Sequence, residues 1–205
     1  MALRRRKQRG NTLLEFGLCL VLLVPLYMSM VIMGMDLKRV MQTNQIARDT
    51  GHMFARWVDF SQTGNQNLVV RLASGLQMTR TSGGGVVILS KLMRIGTQQC
   101  TDGGVSTAQC TNLNKTVVTQ RIVIGNKLLK TSKIATPSDA IVTSNGTLTA
   151  ANYLKNSTAV ATNFESILTL GDGELAFVTE AWFESPVRDF PTLNNRGPVY
   201  ARSIF

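Results

Sequence analysis

Cysteine and histidine are scarce in this 205-residue chain, with three of the first and one of the second. Three thiols and one imidazole exclude a multi-zinc protein and a disulfide-dense scaffold. Charge is sparse too. Asp, Glu, Lys and Arg make up 17 % of the residues, against about 25 % in an average domain. A mostly disordered chain, which pairs low hydrophobicity with high charge, is therefore excluded. Acids are the scarcer sign, 12 against 22 basic residues, giving a net charge of +10. Apolar residues reach an ordinary 44 %. The length allows one domain, or one domain plus an appendage, and suffices to bury a core without disulfides or metal.

The positive charge is concentrated at one end. Arg4, Arg5, Arg6, Lys7 and Arg9 precede the first acid, Glu15, and without residues 1–10 the balance is 17 basic against 12 acidic, or +5. Such a run is either a nucleic-acid arm or the basic side of a membrane signal. The segment that follows decides for the membrane. Leu13 to Met35 is a 23-residue apolar block whose one formal charge is Glu15. As a helix rising about 1.5 Å per residue it extends about 35 Å, enough for a hydrocarbon core of about 30 Å. It is too long for a secretory signal, and Met35-Asp36-Leu37-Lys38 is a poor cleavage site. A buried core helix is the plainer alternative, disfavoured by the length and the basic flank. The positive-inside rule places residues 1–10 in the cytoplasm and the remainder across the membrane.

The pattern predicts that the helix continues to Asp59, about 70 Å in all, with Leu37, Val40, Met41, Ala47, Phe54 and Val58 near one stripe and Gly51 as its weak point. An amphipathic second half requires a partner surface, expected in a domain over residues 60–205. There Asn67 to Met78 has helical spacing, whereas Val86–Leu89, Thr116–Ile124, Glu174–Glu184 and Pro198–Phe205 read as strands. The expected fold class is α+β: a long N-terminal helix, membrane-spanning and then amphipathic, packed on a small antiparallel sheet domain. In the third strand Leu175, Phe177, Thr179, Ala181 and Phe183 share one face, predicted buried. Glu180 and Glu184 share the other, predicted partly open, where charges are commonly solvated.

Between Thr131 and Asn163, 15 of 33 residues are Ser, Thr or Asn, which favour turns over regular elements. The segment reads as a long solvated connection with one helical turn near Ala150–Leu154, or as an exposed recognition loop. Asn114, Asn145 and Asn156 head glycosylation-type triplets that arise easily in such a stretch. Cys100 and Cys110 flank a polar loop and are the candidate disulfide of an exported domain. Cys19 reads as a small apolar packing residue. No catalytic residues are assigned: His52 lies on the stem, and Gly83-Gly84-Gly85 lacks the Lys-Ser/Thr of a phosphate loop. No enzyme activity, cofactor or metal is expected.

The most informative motif is Gly10-Asn11-Thr12-Leu13-Leu14-Glu15-Phe16. A carboxylate inside a span is costly and is a functional residue by default. A cut after Gly10 would give Asn11 a charged amine that a neighbouring subunit's Glu15 could meet. A plain signal anchor with a snorkelling glutamate is the alternative. The heptad resembles the class III signal of type IV prepilins. More closely, Arg9-Gly10 through Glu15-Phe16 and the stem Gln45-Ile46-Ala47-Arg48-Asp49-Thr50-Gly51 resemble the TadE-like family of tight-adherence (Flp) pilus systems, over residues 4–60.

That resemblance implies a minor pseudopilin with a basic prepilin leader (1–10), a transmembrane and stem helix (11–59) and an exported domain (60–205). It implies Gly10 and Asn11 as the cleavage site and Glu15 with Phe16 as assembly residues. The implied partners are a prepilin peptidase, other pilins or pseudopilins, the inner-membrane assembly platform and membrane lipid, with no nucleic acid. The implied location is single-pass in the inner membrane, N-terminus cytoplasmic and outer domain periplasmic or extracellular, or within the pilus. The competing reading is an uncleaved, membrane-anchored binding or adhesion domain.

Overall fold

The computed structural model describes residues 11–185 and 197–205; the leader, Gly10 included, lies outside the described residues. The order of the main elements is α1 (Asn11–Ala55), α2 (Thr63–Leu72), β1 (Gly85–Arg94), α3 (Thr97–Asp102), β2 (Thr116–Gly125), α4 (Ala150–Lys155), β3 (Leu175–Phe183) and β4 (Val199–Ile204). The chain divides into two compact units, Met1–Lys38 and Arg39–Phe205, described here in turn.

In the first unit the surface of α1 is dominated by exposed apolar residues. Leu13, Leu14, Phe16, Val21 and Met33 are all exposed. So is Cys19, for which the chain offers no packing partner. The helix runs on through Pro25, whose ring removes one N–H from the ladder. This helix is long and apolar enough to cross a membrane.

In the second unit a four-stranded antiparallel sheet has the order β2-β1-β3-β4. With side chains alternating, the sheet has two faces, and both are covered. The first packs Val87, Leu89, Phe177, Ala181 and Ala201 against the stem part of α1 and against α2. The stem seam consists of Thr43, Ile46, Ala47, Thr50, Gly51 and Phe54, a helical repeat of three and four. This corrects the expected stripe. Ala47 and Phe54 belong to it, but Leu37 and Met41 are exposed, and small residues let the helix sit close to the strands. Gly51 is a point of contact rather than a weakness, because a Cβ there would stand 2.5 Å from the Phe205 ring.

The stem ends at Ala55, four residues earlier than the pattern suggested, because Trp57 takes a left-handed conformation (φ 65°). Val58 N–H then bonds Met53 C=O and Trp57 N–H bonds Phe54 C=O, the paired closure of a Schellman motif. Trp57's ring meets Phe177 edge-on at 5.5 Å and carries Lys91 Nζ 4.2 Å from its centre. These contacts offset the about 1–2 kcal/mol cost of the left-handed backbone. Helix α2 begins earlier than expected and stops at Leu72, where Gly75 and Gln77 turn the chain with positive φ.

The second face carries the larger surprise. The Ser/Thr/Asn-rich stretch is not a solvated connection but the layer that covers this face. Ile134, Leu148, Leu154, Ala159 and Ala161 are buried within it, against Leu92, Val118, Ala176 and Val178 of the sheet. Its polar side chains bond their own backbone. Ser132 Oγ accepts from Ile134 and Ala135 N–H, and Asn156 Oδ1 accepts from Thr158 N–H and Oγ. Asn112, fully buried, donates to the carbonyls of Tyr153 and Asn156. Local bonds of this kind let a polar sequence lie flat on a core. Both faces of β3 are therefore buried, correcting the half-open strand expected from its alternation.

Candidate functional site

Asn11 opens α1, and Glu15 and Phe16 lie on its first turns, both exposed. On a helix apolar all round, Glu15 has no counter-charge within an ion-pair distance among the described residues. A carboxylate so placed in a span costs about 2.5–3.5 kcal/mol at the centre, less near an edge, unless a cation meets it. The helix is thus long and apolar enough to cross a membrane, with one exposed carboxylate near its start.

Cys100 and Cys110 are joined by a disulfide, with Cα atoms 6.1 Å apart. Cys100, on α3, and Cys110 are both buried in the core cluster beneath the covering layer. The bridge therefore ties the chain leaving β1 into that core before it re-enters the sheet at β2.

Glu180, read from the sequence as a solvated edge charge, is fully buried, which is a correction. Its Oε1 accepts from Tyr200 Oη at 3.0 Å and from Lys133 N–H at 3.0 Å; its Oε2 accepts from Ser132 Oγ. Three donors converge on one carboxylate that has no access to solvent. It is a clamp holding the start of the covering layer to β3 and β4, not an acid or base facing a substrate. Burial first, then the Glu180 charge and hydrogen bond, hold the Tyr200 phenol well above its ordinary range, with Arg202 pulling the other way. Lys133 Nζ lies 4.1 Å from the Tyr200 ring centre, and the Trp182 ring packs on Tyr200 at a tilt, 4.8 Å between centres. The sequence did hold a signal: Ala176, Val178 and Trp182 share Glu180's face, and an acid among apolar neighbours at period two is a buried acid.

The remaining candidates stay apart. His52 is exposed, with its ring 4.3 Å from Phe205 and no carboxylate hydrogen-bonded to it. Gly83-Gly84-Gly85 closes a tight turn, Gly84 N–H bonding Gln77 C=O, before β1. Glu184 is exposed, and its carbonyl accepts from Arg39 Nη1 at 2.7 Å. Among the described residues no group of three or more His, Cys, Asp or Glu is placed to hold a metal. No protein-family profile, curated protein or solved structure matches the chain.

Proposed function

We propose that the chain is a pilin-like structural subunit, a minor pseudopilin, released from its leader by a prepilin peptidase and assembled with other pilins in a type IV or tight-adherence pilus. The observation that carries this reading is Glu15 five residues beyond Gly10, on a helix whose apolar surface is exposed all round. A helix of that kind is at rest in lipid, and equally against copies of similar helices. A cut after Gly10 creates an α-amine at Asn11, and that amine on a neighbouring subunit is the cation that Glu15 lacks. Pairing them removes the cost of the lone carboxylate and fixes the axial register of adjacent helices.

The rest of the chain fits this use. The stem carries a seam of small residues on the outer domain's sheet, so one continuous helix serves both the membrane and the folded domain. A disulfide in the domain suits the oxidising side of the membrane. The basic residues before the span suit a cytoplasmic N-terminus, with residues 60–205 on the far side. Sequencing the N-terminus of the protein extracted from membranes of its own host tests the reading. Asn11 as first residue supports it; a chain still starting at Met1 or Ala2 replaces it with a permanently anchored binding domain.

A further inference from the structure

Strand β2 is an edge of the sheet, and most of that edge is sealed by the chain itself. Arg121 N–H bonds Gly146 C=O at 2.6 Å, and Leu148 N–H bonds Thr119 C=O at 2.9 Å. At the other end Gly125 N–H bonds Arg80 C=O at 2.9 Å. Between these seals lies Val123, opposite Ile88. Asn126 N–H bonds Gly85 C=O, so the antiparallel alternation turns the N–H and C=O of Val123 away from β1. The gap opens into a cleft of about 520 Å³, within the range of about 300–1,000 Å³ typical of ligand sites.

The lining of this cleft is strongly one-sided. Arg80, Arg121, Lys127 and Lys130 contribute cations, against one carboxylate, Asp139. Arg80, Lys127 and Lys130 are exposed, and none has an ion-pair partner among the described residues. Arg121 is different, being partly buried at the strand edge. Its Nη1 donates to Pro137 C=O at 3.3 Å, while its Nε is buried with no hydrogen-bond partner in the chain. Burial works against its charge, and Asp139 and Glu180 offset part of that effect. The rest of the guanidinium lines the cleft, where an oxyanion would pair its charge.

The neutral groups narrow the ligand further. Thr81, Thr131, Thr136 and Ser144 line the same space, and among the described residues no side-chain hydrogen bond occupies their hydroxyls. No aromatic side chain lines it, so there is no platform for the base stacking that single-stranded nucleic acid uses. An acidic peptide adding to the sheet would need a run of open edge, and only Val123 is open. The geometry points to a cleft for an acidic oligosaccharide, with anionic groups on Arg121, Lys127 and Lys130 and sugar hydroxyls on the threonines. This site is independent of the membrane helix and holds whether or not the subunit enters a pilus.

Titration calorimetry on the full-length chain in detergent micelles tests it, with tetragalacturonate, neutral maltotetraose and inorganic phosphate as probes. Tetragalacturonate should bind, weaken as salt rises toward about 0.15 M, and bind at least about tenfold more tightly than phosphate. Maltotetraose should not bind. Lys127→Gln with Lys130→Gln, both exposed and neutral for folding, should weaken tetragalacturonate about tenfold or more. Arg121→Lys, which keeps the charge but loses the fork, should weaken it as well. The proposal is overturned if tetragalacturonate does not bind, if phosphate or maltotetraose matches it, or if the lysine double variant binds it unchanged.

Discussion

The backbone of Phe205 is paired with that of Phe177, N–H to C=O in both directions at 2.8 and 3.0 Å, which sets the Phe205 ring directly over Gly51. Cε2 of that ring would be 2.5 Å from a Cβ at residue 51, with Thr179 Oγ1 at 3.1 Å. Gly51→Ala should therefore destabilise the outer domain by about 1–2 kcal/mol, overpacking outweighing the about 1 kcal/mol that alanine gains in a helix. In a Phe205→Ala background the destabilisation should shrink, because only the Thr179 contact then remains tight. Denaturant melts of the four proteins in the cycle measure both values, and a destabilisation unchanged by Phe205→Ala would contradict this packing.

Thr179 faces the same seam, and its buried hydroxyl has no hydrogen-bond partner in the chain. Thr179→Val keeps the β-branched shape and removes an unsatisfied group. A gain of about 1 kcal/mol in unfolding free energy is expected. A loss of stability would mean that the hydroxyl is satisfied in solution.

Tyr200 and Glu180 give an alkaline signature. The phenol's folded pKa lies above its unfolded value, so the folded state holds its proton more tightly. That stability is complete below about pH 10, the unfolded value, and is lost as pH rises through the folded one. Tyr200→Phe should cost about 1.5–3 kcal/mol at neutral pH, as a hydrogen bond to a charged group. The gap to wild type should then narrow above about pH 10. Tyr153 and Lys91 also have shifted values, in opposite senses for stability, but both proteins retain them. A gap independent of pH in urea titrations would argue against the phenol–carboxylate bond.

The Cys100–Cys110 bridge closes a loop with a sequence separation of ten. In the chain-entropy treatment it contributes about 2–3 kcal/mol. Replacing both cysteines with serine should lower the urea midpoint accordingly and leave the slope nearly unchanged. Peptide mapping without reductant should recover the two cysteines joined; free thiols in protein purified from its host would contradict an oxidised outer domain.

Glu15→Leu separates assembly from folding. The variant removes a lone carboxylate from the apolar helix, so insertion should be as good as wild type or better. Cleavage at Gly10 should persist. On the proposed pilin reading, co-purification with partner pilins and surface pilus yield should fall severalfold, since the carboxylate that would meet a neighbouring amine is gone. Wild-type pilus yield at normal protein abundance would remove the physical reason for the pilin reading.

The parts of the fold legible from sequence are those with strong periodicity: the apolar span, the four strands and their antiparallel arrangement. The stem seam was misread because hydrophobicity pointed to Leu37 and Met41, whereas close helix–sheet contact favours Thr43, Thr50 and Gly51. Strand β1 runs on through Ser90 and Lys91, two polar residues that composition would place at its end. Ser90 is buried, and Lys91 rests its charge on Trp57. The covering layer was illegible for a different reason. Its apolar residues come singly or in twos and threes, such as Ile134-Ala135, Leu148 and Ala159-Val160-Ala161, with no period, and the sheet supplies the order they lack. Glu180 and Arg121 escaped because they lie far from their partners in sequence, Glu180 48 residues from Ser132.

The stem seam also sets a timetable. Thr43 to Phe54 are synthesised early, but part of the surface that covers them, Phe177, Ala181 and Ala201, is made late. At about 5–20 residues per second the wait is roughly 7–30 s. Throughout that interval the seam and its small residues are incompletely covered. The small residues suit the delay as well as the fit: with Thr43, Ala47, Thr50 and Gly51 at four of its six positions, the seam exposes less that another half-made chain could stick to than leucines there would.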